Sequence, residues 1–188
     1  MSTEWSPDLQ PPRPGMVERA VELVSRYTTD AFLTINLDAL SQRGWVAVPL
    51  LRDRFEDDEA LRLAAAITQH LGSDRLMAVY EAFNWPGEGP TSAVWTVPPT
   101  EADLKDVAGE LGPYYFLLTD EEPSFMIWCT KDDWHLLAGP SDFVVDVLGK
   151  PLDVARQAFV DFWNEDPGSH WYQVREPYLS WAERLARV

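Results

Sequence analysis

Three short apolar runs lie close together in the middle of the chain, at Tyr114–Leu118, Phe125–Cys129 and Trp134–Ala138. Aromatic and apolar runs of about five residues, bounded by turn residues, are typical of β-strands. The two connections between them are short and acidic, whereas parallel strands need a crossover of about a dozen residues or more. The pattern therefore predicts an antiparallel three-stranded meander over 114–138, at the centre of a sheet.

Helical periodicity is visible on both sides of the meander, because apolar residues recur there three and four positions apart. The helices that this spacing predicts are 14–27, 55–71, 100–111, 141–148, a helix from 151 onward, and 176–188. The first is expected to bury Val17, Ala20, Val21, Val24 and Tyr27. The second is expected to bury Leu61, Ala64, Ala65, Ile67 and Leu71. The helix from 151 is expected to bury Leu152, Ala155, Phe159, and Phe162 or Trp163.

Helix boundaries and further strands complete the prediction. Thr100 and Asp103 resemble a capping box at the start of 100–111. Strands are predicted at 45–51, 76–83 and 91–97, although the composition of 76–83 would also allow a helix. Pro49 restricts the first to an edge strand or a strand end. Segment 31–40 is compatible with either a strand or a helix.

Together these elements predict the fold class α+β: a single domain over 14–188, with an antiparallel sheet packed by several amphipathic helices. Residues 1–13 contain three prolines among polar residues. They are predicted to form an extended or disordered N-terminal arm.

The net charge of the chain favours some classes of binding partner over others. The 188-residue chain has a formal net charge of -16 and a pI of about 4.4. Such a field repels phosphate backbones and anionic lipid, which argues against nucleic acid and membrane as partners. It favours a basic protein partner, although solubility alone would also explain it.

The sequence shows no pattern typical of a secretory signal or of a membrane span. The first fifteen residues lack the basic and apolar regions of a secretory signal, and no apolar run is long enough for a membrane span. The single cysteine excludes an internal disulfide and fits a reducing compartment. A cytoplasmic location is expected.

Cys129 and His135 lie on neighbouring predicted strands and are the one candidate dyad. A two-residue turn at Asp132-Asp133 would pair Cys129 with Leu136, and the dyad would then point to opposite faces. A three-residue turn over 131–133 would pair Cys129 with His135. We expect the first register. In either register the acidic surroundings would raise the pKa of the thiol, which favours a structural cysteine.

The sequence contains no motif that is typical of a metal or cofactor site. The three histidines His70, His135 and His170 are far apart in the sequence and belong to no metal-binding pattern. The four acids at 56–59 fit the first turn of a helix, where they favour the positive end of its dipole. The sequence therefore predicts no catalytic residue, no metal site and no cofactor.

One resemblance to a known family comes from the C-terminal half. The meander with an aromatic on its middle strand, followed by the helix start Gly139-Pro140-Ser141-Asp142-Phe143, resembles the C-terminal part of small bacterial immunity proteins of the SUKH-like kind. The resemblance covers roughly 113–148. It implies a cytoplasmic protein that neutralises a toxin, commonly a nuclease, and it assigns no binding residue.

The leading hypothesis is a non-catalytic acidic binding protein that blocks a basic partner by charge and shape. Its predicted contacts are the two acidic turns of the meander and a tryptophan in a loop rich in Pro and Gly. These residues are Asp120, Glu121, Glu122, Asp132, Asp133 and Trp85. Two alternatives stay open: an enzyme whose site is assembled from scattered carboxylates and Trp, and a structural subunit of a larger assembly.

Overall fold

The computed structural model describes residues 10–29, 34–51, 55, 57–80, 93–130 and 134–165. The helices are α1 (Met16–Tyr27), α2 (Leu37–Ser41), α3 (Asp57–Ala66), α4 (Glu101–Leu111), α5 (Ser141–Leu148) and α6 (Leu152–Glu165). The strands are β1 (Thr28–Thr29), β2 (Thr34–Ile35), β3 (Val46–Leu51), β4 (Leu76–Tyr80), β5 (Val94–Val97), β6 (Phe116–Thr119), β7 (Met126–Cys129) and β8 (Trp134–Gly139).

A six-stranded antiparallel sheet forms the centre of the molecule, in the order β3-β8-β7-β6-β4-β5. The meander β6-β7-β8 lies inside this order, with β3 on one side and β4 and β5 on the other. The predicted α+β class and the central meander are therefore confirmed. A separate two-stranded sheet pairs β1 with β2. The described part of segment 31–40 therefore contains the short strand β2 and most of helix α2.

Both faces of the sheet are covered by helices. Alternate residues along β6 belong to different cores: Phe116 and Leu118 pack with α3, α4 and α5, whereas Leu117 packs with α1, α2 and α6. Because both faces are buried, the strands have no polar side, which explains why they are continuous apolar runs in the sequence.

The buried faces of α1 and α3 differ from the prediction. In α1, Val21 is exposed and Leu23 is buried in its place. In α3, Leu61 is 55% exposed and the buried positions include Ala60 and Leu63. Both segments carry apolar residues on more than one side, so spacing alone does not determine which side meets the sheet.

The remaining helix predictions agree more closely. Thr100 accepts a hydrogen bond from the Asp103 N–H at the start of α4, as a capping box requires. In α6, Ala155 and Phe159 are buried, whereas Phe162 is 50% exposed. The helix predicted at 176–188 lies outside the described residues.

Strand β3 is an edge strand, which is one of the two positions that Pro49 allows. The Ala47 carbonyl accepts a hydrogen bond from Arg156 Nη2 of α6 at 3.2 Å, so Ala47 faces away from β8. Alternate residues of a strand present their backbone groups to the same side. Pro49 therefore faces outward too, where its missing N–H removes no bond from the sheet. Burial of the Arg156 side chain lowers the pKa of its guanidinium.

Candidate functional site

An open groove lies at the end of the sheet where β4 begins and β6 ends. Its volume is about 480 Å³, and its lining comes from the N-terminal segment, the end of α3 and the β6–β7 turn. The lining contains four carboxylates and two guanidinium groups, so its balance is acidic. We name this region the acidic groove, and its residues are Arg13, His70, Leu71, Ser73, Asp74, Arg75, Asp120, Glu121, Glu122 and Ser124.

The β6–β7 turn supplies three of the predicted contact residues, and they have different roles. Asp120 is only 7% exposed, and its carboxylate accepts hydrogen bonds from the Ser124 N–H and the Ser124 hydroxyl. Glu121 and Glu122 are exposed. Asp120 therefore holds the turn in shape, while the next two carboxylates face solvent and remain accessible to a partner.

The N-terminal segment brings a basic side chain into the acidic groove. Arg13 Nη1 lies 3.8 Å from Glu121 Oε1, and both side chains are 49% exposed. Arg75 Nη1 donates to Gln10 Oε1 at 2.9 Å and so ties the segment to the start of β4. An ion pair with this exposure contributes only about 0.2–1 kcal/mol, because water and salt screen it.

The end of α3 winds into a π-helical turn, Ile67–Leu71, which forms one wall of the groove. Gly72 closes the turn with a positive φ of 62°, and its N–H donates to the Ile67 carbonyl at 3.0 Å. The turn ends the helix at Gly72, and it therefore fixes the backbone of this wall of the groove.

His70 is held in this turn by acidic residues of α5. Its Nε2 lies 2.7 Å from Asp146 Oδ2, and its Nδ1 lies 3.7 Å from Asp142 Oδ2. The ring also meets Phe143 edge-on. His70 thus links α3 to α5 behind the groove wall, and its ring is held in one orientation.

The Cys129–His135 pair has the register that we did not expect. Cys129 lies directly opposite His135 across β7 and β8, so the two side chains share a face of the sheet. The predicted pairing of Cys129 with Leu136 is wrong. The physical reason lies at the strand ends, where Thr130 donates from its N–H and its hydroxyl to the Trp134 carbonyl. This closure leaves three residues in the turn.

Glu59 completes an internal cluster with these two residues. Its Oε1 lies 3.0 Å from His135 Nε2, and the Phe55 ring meets the His135 ring edge-on. Cys129 and His135 are each 1% exposed, and the Glu59 side chain is 14% exposed. Glu59 therefore reaches inward, unlike Asp58, whose exposed carboxylate pairs with Arg62; that ion pair lowers the pKa of Asp58.

The burial of this cluster indicates a structural role. A thiol is reactive when it is partly exposed and lies in a positive environment, and Cys129 is buried beside a carboxylate–histidine pair. The contact between Glu59 and His135 instead joins the first turn of α3 to the sheet.

We expect Cys129 to resist iodoacetamide in the native protein and to react only when the chain unfolds. Burial keeps the reagent away from the sulfur, so labelling should follow the unfolding equilibrium. Mass spectrometry across a urea series measures the modified fraction. Fast labelling without urea, lost in the variant His135→Asn, would contradict the structural role and favour the enzymatic alternative.

The predicted contact residues fall into two groups. Asp120, Glu121 and Glu122 line the acidic groove, whereas Asp132, Asp133 and Trp85 lie outside the described residues. Sequence reasoning did not connect the groove's other members with these three. These other members include Arg13, His70, Asp74 and Arg75. They lie more than 40 positions before the β6–β7 turn in the sequence, so charge was the only property that could have linked them to it.

Two further observations concern metals and membranes. Among the described residues, no group of three or more His, Cys, Asp and Glu side chains is arranged to hold a metal ion. Within the same part of the chain, every helix is too short or too polar to cross a bilayer.

Comparison of the chain with models of known protein families, with curated proteins and with solved structures finds no match. The acidic groove and the charge of the whole chain therefore carry the functional argument.

Proposed function

We propose that this protein is a non-catalytic acidic binding protein, whose acidic groove recognises a basic protein partner. The observation that carries the proposal is the position of Asp74, Glu121 and Glu122, which are exposed around one open groove. With a net charge of -16 behind it, this surface attracts a basic protein over a distance of about one Debye length.

The shape of the groove supports binding over catalysis. Its lining is polar and open to solvent, whereas small-molecule sites are concave, largely apolar and bury most of their ligand. Asp120 uses its carboxylate to hold the β6–β7 turn, and His70 is engaged by Asp146. These contacts give the groove fixed walls, and a rigid surface binds at a lower entropic cost.

A more specific form of the proposal is a bacterial cytoplasmic immunity protein that neutralises a basic toxin. The support is the resemblance over 113–148 and the charge, because an enzyme that binds nucleic acid is usually basic and an acidic inhibitor complements it. In that form, the acidic groove would cover the toxin's own phosphate-binding surface.

The test begins with affinity capture of the partner from cells that express the tagged protein. Association is then measured by stopped-flow fluorescence at about 20 mM and about 500 mM salt. We expect a basic partner, and we expect the association rate to fall by about tenfold or more between the two conditions. A partner of neutral or acidic charge, or a rate that does not change with salt, would contradict the proposal.

A matched pair of charge reversals locates the surface. Asp74→Lys/Glu122→Lys changes two groove carboxylates, whereas Asp106→Lys/Glu110→Lys makes the same charge change on the exposed side of α4. We expect the groove variant to slow association several-fold more than the α4 variant, because nearby charges act with less screening. Equal slowing would mean that net charge acts without a localised site.

A further inference from the structure

The N-terminal segment Gln10–Arg13 covers the outer edge of β5. The Gln10 N–H donates to the Thr96 carbonyl at 3.2 Å, and the Thr96 N–H donates to the Gln10 carbonyl at 2.9 Å. Thr96 is buried although its strand is the last of the sheet. At this position the segment therefore takes the place of a neighbouring strand.

Proline residues limit this pairing to one residue pair. In the antiparallel register of Gln10 with Thr96, the next pair along would place Pro12 opposite Val94. Val94 presents its backbone groups to the same side as Thr96, because alternate residues of a strand do so. Pro12 has no N–H to donate to the Val94 carbonyl. Pro98, two residues after Thr96 on the other side, has no N–H either. Backbone pairing is therefore limited to Gln10 and Thr96, and the Thr96 hydroxyl adds a side-chain bond to the Pro11 carbonyl at 3.4 Å.

Arg13 brings a positive charge from this same segment into the acidic groove. Its guanidinium lies 3.8 Å from Glu121, and the exposed carboxylates of Asp74 and Glu122 line the groove beside it. The chain thus places an extended backbone on β5 and a basic side chain in the groove, using four consecutive residues. A basic segment from another protein that pairs at Thr96 and then follows the same path to Glu121 would present both features together.

We propose that the β5 edge and the acidic groove form one docking surface for an extended basic segment of the partner, and that residues 10–13 are a strap displaced by it. The proposal rests on the proposed function and adds the binding mode, which is strand addition to an exposed edge. The partner segment follows the path of the strap and pairs with Thr96 in the place of Gln10. A partner lysine or arginine takes the place of Arg13 at Glu121.

Three fluorescein-labelled peptides probe the surface by fluorescence anisotropy. The first alternates lysine and threonine, the second replaces lysine by glutamate, and the third is the lysine peptide with a methylated backbone that cannot pair with a strand. We expect the first to bind and the other two to bind much more weakly. Equal binding of the lysine peptide and its methylated form would overturn strand addition while leaving charge recognition intact. Failure of the lysine peptide to bind any variant would overturn the proposed function as well.

Full-length variants test the strap. Arg13→Ala should tighten binding of the lysine peptide by about two- to fivefold, because an exposed ion pair of this strength no longer competes. Arg19→Ala is the matched control, since it removes the same charge from an exposed pair with Glu22 on α1. Pro12→Ala should weaken binding by about threefold, because it returns a backbone donor to the strap. Equal effects of the two arginine variants, or tighter binding by Pro12→Ala, would contradict the proposal that the peptide displaces residues 10–13.

Amide hydrogen exchange gives a direct test of displacement. In the free protein both the Gln10 and the Thr96 amides are hydrogen-bonded and should exchange slowly. With the lysine peptide bound, the Gln10 amide should exchange faster, whereas the Thr96 amide should stay protected by the peptide. Continued protection of Gln10 at saturating peptide would show that the strap stays in place, and the inference would be wrong.

Discussion

Replacing Phe159 by alanine should lower the free energy of unfolding by about 3–5 kcal/mol, the range typical of deleting a buried aromatic side chain. Phe159 is 1% exposed and meets the ring of Trp134 at a centroid distance of 5.6 Å. Trp134 in turn packs edge-on against Trp128. Loss of the Phe159 ring leaves a cavity beneath this row of rings, and the rigid sheet cannot collapse to fill it.

Phe162→Ala is the matched control, because it removes the same ring from the same helix at a position that is 50% exposed. Its expected cost is about 1 kcal/mol, in proportion to the smaller area withdrawn from water. Urea unfolding followed by tryptophan fluorescence measures both values. Similar losses for the two variants would mean that α6 does not pack through Phe159 as described.

Glu59→Ala should destabilise the protein by about 2–3 kcal/mol, because His135 loses a hydrogen bond to a charged group inside the fold. For a chain of this size, that loss of stability should lower the melting temperature by about 4–12 °C. Glu59 joins α3 to β8 from a largely buried position, so little water is available to replace its carboxylate.

Asp58→Ala tests whether the burial of Glu59 is the reason for the destabilisation by Glu59→Ala. Asp58 precedes Glu59 in the same helical turn and also faces a basic group, but its pair with Arg62 is exposed. Both variants remove one negative charge from the start of α3, so the effect on the helix dipole is similar. Differential scanning calorimetry should show a clear fall in melting temperature for Glu59→Ala and little change for Asp58→Ala. Equal falls would assign the effect to the helix dipole.

Much of the secondary structure follows from local chemistry. The meander, Pro49 at the sheet edge and the Thr100 cap all depend on residues that are neighbours in sequence. The buried face of α3 cannot be predicted in this way, because its run of apolar residues offers more than one face to the sheet. The choice between those faces is made by packing with β-strands far away in sequence.

The candidate site was less predictable than the fold. The β6–β7 turn is local and acidic, so Glu121 and Glu122 could be proposed from the sequence. Their neighbours Arg13 and Asp74 reach the groove only through the fold. The same holds for the pair of Glu59 and His135, which are 76 positions apart. The connection after β7 is one residue longer than the sequence predicts, and a shift of one residue moves a side chain to the opposite face of the sheet.

The two edges of the central sheet have unequal protection, and this has a consequence for self-association. At β3, Pro49 and the bond from Arg156 to Ala47 belong to the body of the domain. At β5, the cover is a short segment held by one backbone pair, by side-chain hydrogen bonds from Arg75 to Gln10 and from Thr96 to the Pro11 carbonyl, and by an exposed ion pair. A sheet that can open at one edge only can join a second copy edge to edge, but it cannot add a third. Growth into a filament would therefore stop at two chains, even in a cell that accumulates the protein without its partner.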